Sequence, residues 1–257
     1  FACSVLSAQD VFTGKSVRII NPGAPLNSDS LDYAPTISPD GKTLYFVSSR
    51  IGSKKKLSDS TWSHDFWYST KQNRLDTVFT RPINMDTVLR IANNGLNTSR
   101  NEGVPSIAAN RRTMYFTGCD RPDVLPAPKG IIMKSGFCDI YVVELNENGE
   151  WGIPRNLGVN INSGWWDGQP SISPDGMRLY FASDRPGGYG SADIWYSDYD
   201  AVHKNWLPAK NAGNTINTPG DDWSPSPPPA IAIAQKSRSA PDPQLCQRST
   251  SHRVRTN

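Results

Sequence analysis

No run of apolar residues in this chain approaches the length needed to cross a membrane. Histidine is scarce: His64, His203 and His252 are scattered, and none has a second ligand at metal spacing. His64, beside Asp65 at the start of a β-run, reads as a loop-end surface histidine. The four cysteines do not fall at zinc spacing either. A Gly-x-Ser-x-Gly elbow for an acyl-transfer nucleophile is missing. Gly14-Lys15-Ser16 looks like the end of a phosphate loop, but Gln9 stands where the first Gly is required. The adjacent acids Asp221 and Asp222 could serve acid–base work, although solvated loop acids are the commoner case. These gaps argue against a catalytic centre, a metal and a cofactor. Charge of one sign is also thin. Residues 230–257 carry a net +4 and leave the rest of the chain at −1, which does not advertise nucleic acid as a partner.

What the chain does have is turn residues, with 20 Gly and 21 Pro, and a repeat. Tyr45-Phe46, Tyr115-Phe116 and Tyr180-Phe181 correspond to one another. Each is preceded by a short β-run: Ala34-Pro35-Thr36-Ile37-Ser38, Val104-Pro105-Ser106-Ile107-Ala108 and Gln169-Pro170-Ser171-Ile172-Ser173. Each is followed by another: Asp65-Phe66-Trp67-Tyr68, Asp139-Ile140-Tyr141-Val142 and Asp193-Ile194-Trp195-Tyr196. An acid, Asp32, Glu102 or Asp167, stands three positions before the first Pro, and Asp222-Trp223-Ser224-Pro225 opens a fourth copy. Fixed-order similarity at this period signals a repeat architecture. Asn148-Gly149 is a hairpin signal, so Glu150 to Pro154 reads as a fourth strand, with Lys204 to Pro208 in the matching place. Four antiparallel strands per unit make a propeller blade. The expected fold is all-β: three complete blades near 32–93, 102–156 and 167–210, plus a partial one at 222–229. The Asn-rich crossovers Asn94 to Thr98, Gly158 to Ser163 and Gly213 to Thr218, with Asn21 to Ser28 as a looser version, are expected to satisfy backbone groups between blades.

Ser38-Pro39-Asp40-Gly41 and Ser173-Pro174-Asp175-Gly176 through Asp184-Arg185-Pro186-Gly187-Gly188 resemble the WD-like propeller repeats of TolB-type proteins. They are also similar to the propellers of bacterial envelope proteins that precede an OmpA-like peptidoglycan-binding domain. The second copy departs, with Ala108-Ala109-Asn110-Arg111 in the turn. The resemblance implies a periplasmic or outer-membrane-associated module with an envelope protein or a peptidoglycan-associated partner.

Residues 1–20 read as the end of a secretory leader and a linker, with cleavage after Ala8, lipidation at Cys3 or an arbitrary edge all open. Three blades and an opening strand do not close a ring of four to eight. The basic stretch 230–257 is therefore expected to be an aberrant tail, with natural disorder as its rival. Cys119 and Cys138 flank one loop of the second copy and sit within bridging reach if that copy is a hairpin; two free thiols are the alternative.

For binding, Trp165, Trp166 and Asp167, with Tyr33 after Asp32 and Trp223 after Asp222, could stack on sugar rings or hold a peptide. Packing between blades is the competing role. Asp184-Arg185 and Asp120-Arg121 are expected to clamp their own loops through a local ion pair or backbone bonds, and Lys54-Lys55-Lys56 to form a solvated tip. Two functions stand: a non-enzymatic scaffold of the envelope, or an accessory propeller of a glycan- or peptide-hydrolysing enzyme. Fold alone does not choose between them.

Overall fold

The computed structural model describes residues 21–56, 61–88, 95–121 and 137–227. The leader reading of 1–20 and the tail reading of 230–257 fall outside the described residues. Within them the repeat folds as three antiparallel sheets. The first holds β1 (Asp32–Ile37), β2 (Thr43–Ser48), β3 (Asp65–Thr70) and β4 (Ile83–Asn84), and a short helix, α1 (Met85–Val88), follows. The second holds β5 (Asn101–Ile107), β6 (Thr113–Cys119), β7 (Cys138–Glu144) and β8 (Arg155–Asn156). The third holds β9 (Asp167–Ile172), β10 (Arg178–Ser183), β11 (Asp193–Asp200), β12 (Asn205–Trp206) and β13 (Lys210–Asn211). Each sheet is a propeller blade.

The middle strands are buried on both sides, so they read as almost continuous apolar and aromatic runs. Period-two alternation divides them between neighbours. Met114, Phe116, Tyr141 and Val143 of blade 2 pack with Val47 and Phe66 of blade 1. The intervening residues Tyr115, Ile140 and Val142 face Leu179, Phe181 and Trp195 of blade 3. Phe66 meets Phe116 edge-on at 5.2 Å, and Tyr115 meets Trp206 at 6.0 Å. Each fully buried aromatic contributes about 1.5–3 kcal/mol of transfer energy, so the blade faces hold the array together.

The fourth strand matches the sequence reading only in part. Glu150–Pro154 makes only a bridge, Leu145 to Trp151, and Asn205–Trp206 is a two-residue pairing with β11. The pairing resumes after a proline, as Arg155–Asn156 on β7 and Lys210–Asn211 on β11. Pro154 and Pro208 have no N–H to donate, so the ladder breaks there and restarts. Asp222–Pro227 forms no strand, although Asp221 bridges to Ala192.

Candidate functional site

The first strands of neighbouring blades, β1 with β5 and β5 with β9, touch one another, which places them on the axial side of the array. Each contains one residue in the left-handed region just before its proline: Ala34 (φ 49°), Val104 (φ 46°) and Gln169 (φ 54°). Ser224 (φ 56°) repeats the feature in the fourth copy. Pairing with the second strand slips at these positions in all three blades. Such backbone costs about 1–3 kcal/mol per residue, and four copies in register mark a built feature. The bulge turns backbone donors away from their own sheet. Gln169 donates its N–H to Thr117 Oγ1 of blade 2 at 2.8 Å, and Ile172 donates to Ser106 Oγ at 3.1 Å. Ser224 donates both N–H and hydroxyl to Gln169 Oε1, at 2.6 and 3.0 Å.

The entrance to β9 carries the aromatic residues. Trp166 meets Trp223 edge-on at 4.9 Å, and Trp166 lies against Gly168, where any side chain would collide with its ring. Trp223 is 44% exposed, and Trp165 is half-buried with its N–H on Ser163 Oγ. The sequence-predicted binding set therefore divides. Trp166 and Trp223 meet, while Trp165 is held in the turn before them by Ser163. Tyr33 belongs to the blade 1–blade 2 seam, its hydroxyl 2.9 Å from His64 Nδ1. Burial, with the carboxylate of Glu102 nearby, pushes the Tyr33 hydroxyl up to about 12. His64 is not a surface histidine: it is half-buried in that seam, and burial beside Lys56 lowers its pKa.

The acids proposed for binding serve a different purpose. Asp32 pairs with Arg50 at 2.6 Å, Glu102 with Arg121 at 3.1 Å and Asp167 with Arg185 at 2.5 Å. In the first and third blades the acid also accepts the N–H and hydroxyl of Ser28 or Ser163; in the second it accepts those of Thr98. Each arginine then reaches a crossover carbonyl, Leu26, Leu96 or Ile161. It also lies over two aromatic rings of its own blade. Asp167 is completely buried, so it and Asp32 are blade clamps and not ligand contacts. Asp222 keeps the turn, accepting Thr218 N–H at 2.7 Å, and remains exposed.

Of the two ways expected for the Asp-Arg dipeptides to hold their loops, backbone bonds are the one that forms. Arg185 and Arg121 pair with the first acid of the blade, not with Asp184 or Asp120. Asp184 instead accepts the Trp166 N–H at 2.7 Å, and Asp120, at φ 54°, donates its N–H to Phe137. Lys54 and Lys55 are not a free tip. The loop folds back along the blade, so that Lys54 Nζ lies 2.7 Å from Asp86 and Lys55 lies over Trp62 at 3.8 Å. Cys119 and Cys138 face each other across β6 and β7 and are joined as a disulfide.

Burial pushes the Glu102 carboxyl up to about 7, against the opposing pull of Arg121 and Thr98. No group of three or more metal-ligating side chains occurs among the described residues. Nor is any helix among them long and apolar enough to cross a membrane. Sequence reasoning missed Gln169, Thr117 and Ser106 as the stitching between blades. The sequence carries no signal for them, because a residue before proline ordinarily takes extended backbone.

No family model matches the chain. It is 25% identical over 226 residues to the Tol-Pal system protein TolB of Francisella tularensis subsp. tularensis (strain WY96-3418), covering 84% of this chain and 48% of that protein. The chain thus spans about half the length of the curated relative it matches. Among solved structures it is similar to a putative TolB from Agrobacterium tumefaciens, at 18% identity and TM-score 0.40, covering 79% of this chain and 68% of that one. It is also similar to an alpha-L-arabinofuranosidase from Lactobacillus brevis, at 14% identity and TM-score 0.44, covering 74% and 59%.

Proposed function

We propose that this chain, a TolB-type β-propeller, is a non-enzymatic binding module of the bacterial envelope that works in the periplasm and holds a protein or cell-wall partner at its axial mouth. The observation that carries the reading is how the polar groups are used. The buried first acids are consumed in acid–arginine clamps, while the exposed aromatic surface of Trp223, backed by Trp166, is left at the entrance to the axial strands. Exposed aromatic area beside satisfied polar groups suits contact with a partner better than proton transfer. The similarity to a Tol-Pal system protein supplies the envelope context, and the likeness to propellers that precede an OmpA-like domain belongs to the same proposal. Among the described residues no acids converge at the axial mouth as the hydrolase-accessory reading requires.

A photo-crosslinking residue at position 223, compared with one at the exposed Val202 on an outer loop, tests this in bacterial cells. The module reading expects adducts with one envelope component from position 223 and few from position 202. Equal yields from both positions, or hydrolysis of peptidoglycan by the purified chain, would overturn it.

A further inference from the structure

In blades 1 and 3 a serine holds the clamp arginine in place. Arg50 donates its backbone N–H and its Nε to Ser48 Oγ, at 3.1 and 2.9 Å. Arg185 does the same to Ser183 Oγ, at 3.2 and 2.8 Å. Both serines are buried, and each pairs with the acid that opens the third strand, Asp65 or Asp193. Blade 2 has a glycine at that position. Gly118 pairs with Asp139, and a Cβ there would lie 2.5 Å from Arg121 Cδ and 3.0 Å from the Tyr141 ring. The arginine side chain thus runs through the space that the serine fills in the other two blades. Arg121 also stands three residues after Gly118, where Arg50 and Arg185 follow their serines by two, and Asp120, at φ 54°, takes up the extra residue.

Without the serine the clamp has longer bonds. Arg121 reaches Glu102 at 3.1 Å and Leu96 O at 3.4 Å, against 2.5–2.7 Å for the matching bonds of Arg50 and Arg185. What fixes the segment instead is covalent. Cys119, two residues before Arg121, is joined to its ladder partner Cys138, and Asp120 N–H closes on Phe137 O at 2.5 Å. The bridge therefore precedes its arginine by the same interval as the serines do in blades 1 and 3. Arg121 is 6% exposed and the Glu102 side chain is fully buried, so an arginine out of place leaves a buried charge unpaired. Cys119 is partly exposed while Cys138 is buried, so an incoming thiolate reaches the Cys119 sulfur.

We infer that the Cys119–Cys138 disulfide is a redox lock on the Glu102–Arg121 clamp: it takes the place of the serine brace, and its reduction releases the arginine of blade 2 alone. A dithiol supplies the two electrons. Its first thiolate attacks Cys119 Sγ, the S–S bond breaks, and Cys138 leaves as a thiolate that takes a proton from water. The second thiolate of the reductant then displaces Cys119 and closes the reductant's own disulfide. Arg121 holds the carbonyls of Gly95 and Leu96, in the crossover from blade 1 to blade 2, so its release loosens that seam. Arg185 holds Ile161 O in the next crossover, which keeps the seam between blades 2 and 3 closed.

The test uses the full chain carrying Cys3→Ser and Cys246→Ser, so that only this bridge responds to dithiothreitol. Urea midpoints are measured oxidised and reduced, in that parent and with Glu102→Gln or Asp167→Asn added. Reduction is expected to lower the midpoint equally in the parent and in Asp167→Asn. In Glu102→Gln it lowers it by less than half as much, because two changes in one clamp do not add. Equal lowering in all three overturns the inference, by making the bridge a plain cross-link. Hydrogen exchange in the parent gives a reading that needs no clamp variant. Amides in 95–102, where Thr98 N–H bonds to Glu102, are compared with those in 157–166, where Ser163 N–H bonds to Asp167. Reduction is expected to speed the first group at least about tenfold more than the second. Equal acceleration of the two groups, or none in either, overturns it.

Discussion

Blades 2 and 3 share one plan but fasten it with different side chains. Blade 3 uses Asp167 with Arg185 and turns through Ser173-Pro174-Asp175-Gly176, with Gly176 taking the positive φ. Blade 2 uses the longer Glu102 with Arg121, adds a disulfide, and places Arg111 at φ 58° where its neighbours have Gly41 and Gly176. Its turn still closes, because Asn110 Oδ1 accepts the N–H groups of Arg112 and Thr113. Asp175 does related work in blade 3, accepting the Ser173 hydroxyl and the Met177 N–H. The turn needs a side-chain acceptor and a left-handed residue, and several side chains supply them.

The largest expected effect separates the two clamps. Glu102→Ala leaves Arg121, 6% exposed, without its counter-charge and costs about 3–5 kcal/mol in urea denaturation. Asp167→Ala costs less, because Arg185 is 12% exposed and water can reach it. Equal losses would erase the distinction. Next in size is the disulfide. Cys119→Ser with Cys138→Ser lowers stability by about 3 kcal/mol, as expected for a loop of that length, and reduction of the parent has the same effect.

A pH titration sharpens the comparison further. Because burial raises the Glu102 pKa from 4.5 to about 7, the folded chain holds a proton there that the unfolded chain releases. The stability tied to that proton is complete below pH 4.5 and is lost as pH rises to about 7, by at most about 1.4 kcal/mol per pH unit. His64 acts in the opposite direction: its lowered pKa costs stability as pH falls through 6.5. Glu102→Gln removes the first slope and leaves the second, which denaturation midpoints between pH 4.5 and 7 would show. Smallest is the turn. Arg111→Gly relieves a left-handed residue and gives up an exposed ion pair to Asp40 at 2.8 Å, for a net gain of less than about 1 kcal/mol.

The repeat was legible in the sequence because hairpins are local: aromatic runs, turn residues and opening acids recur in order. The acid–arginine clamp was not read, since adjacency suggested Asp184 for Arg185. Yet the true partners stand 18, 19 and 18 residues apart in the three blades, a spacing constant to within one residue that points to them. The fourth strand was legible in part: Asn205–Trp206 pairs with β11 as read, and Trp151 bridges to Leu145, but the break and restart of the ladder around Pro154 and Pro208 was not read. The Trp166–Trp223 contact spans copies three and four, and only the fold brings those positions together.

Asparagines and acids build the blades, whereas the proposed function assigns the exposed ring of Trp223 to a partner. The most direct test is the urea stability of Asn162→Ala beside that of Trp223→Ala. The first leaves the buried N–H and C=O of Ile140 unpaired and is predicted to lose about 2–4 kcal/mol. The second, trimming a 44% exposed ring, is predicted to lose less than about 1 kcal/mol. A larger loss from Trp223→Ala than from Asn162→Ala would contradict the account, making the aromatic mouth a structural seam and the asparagines dispensable.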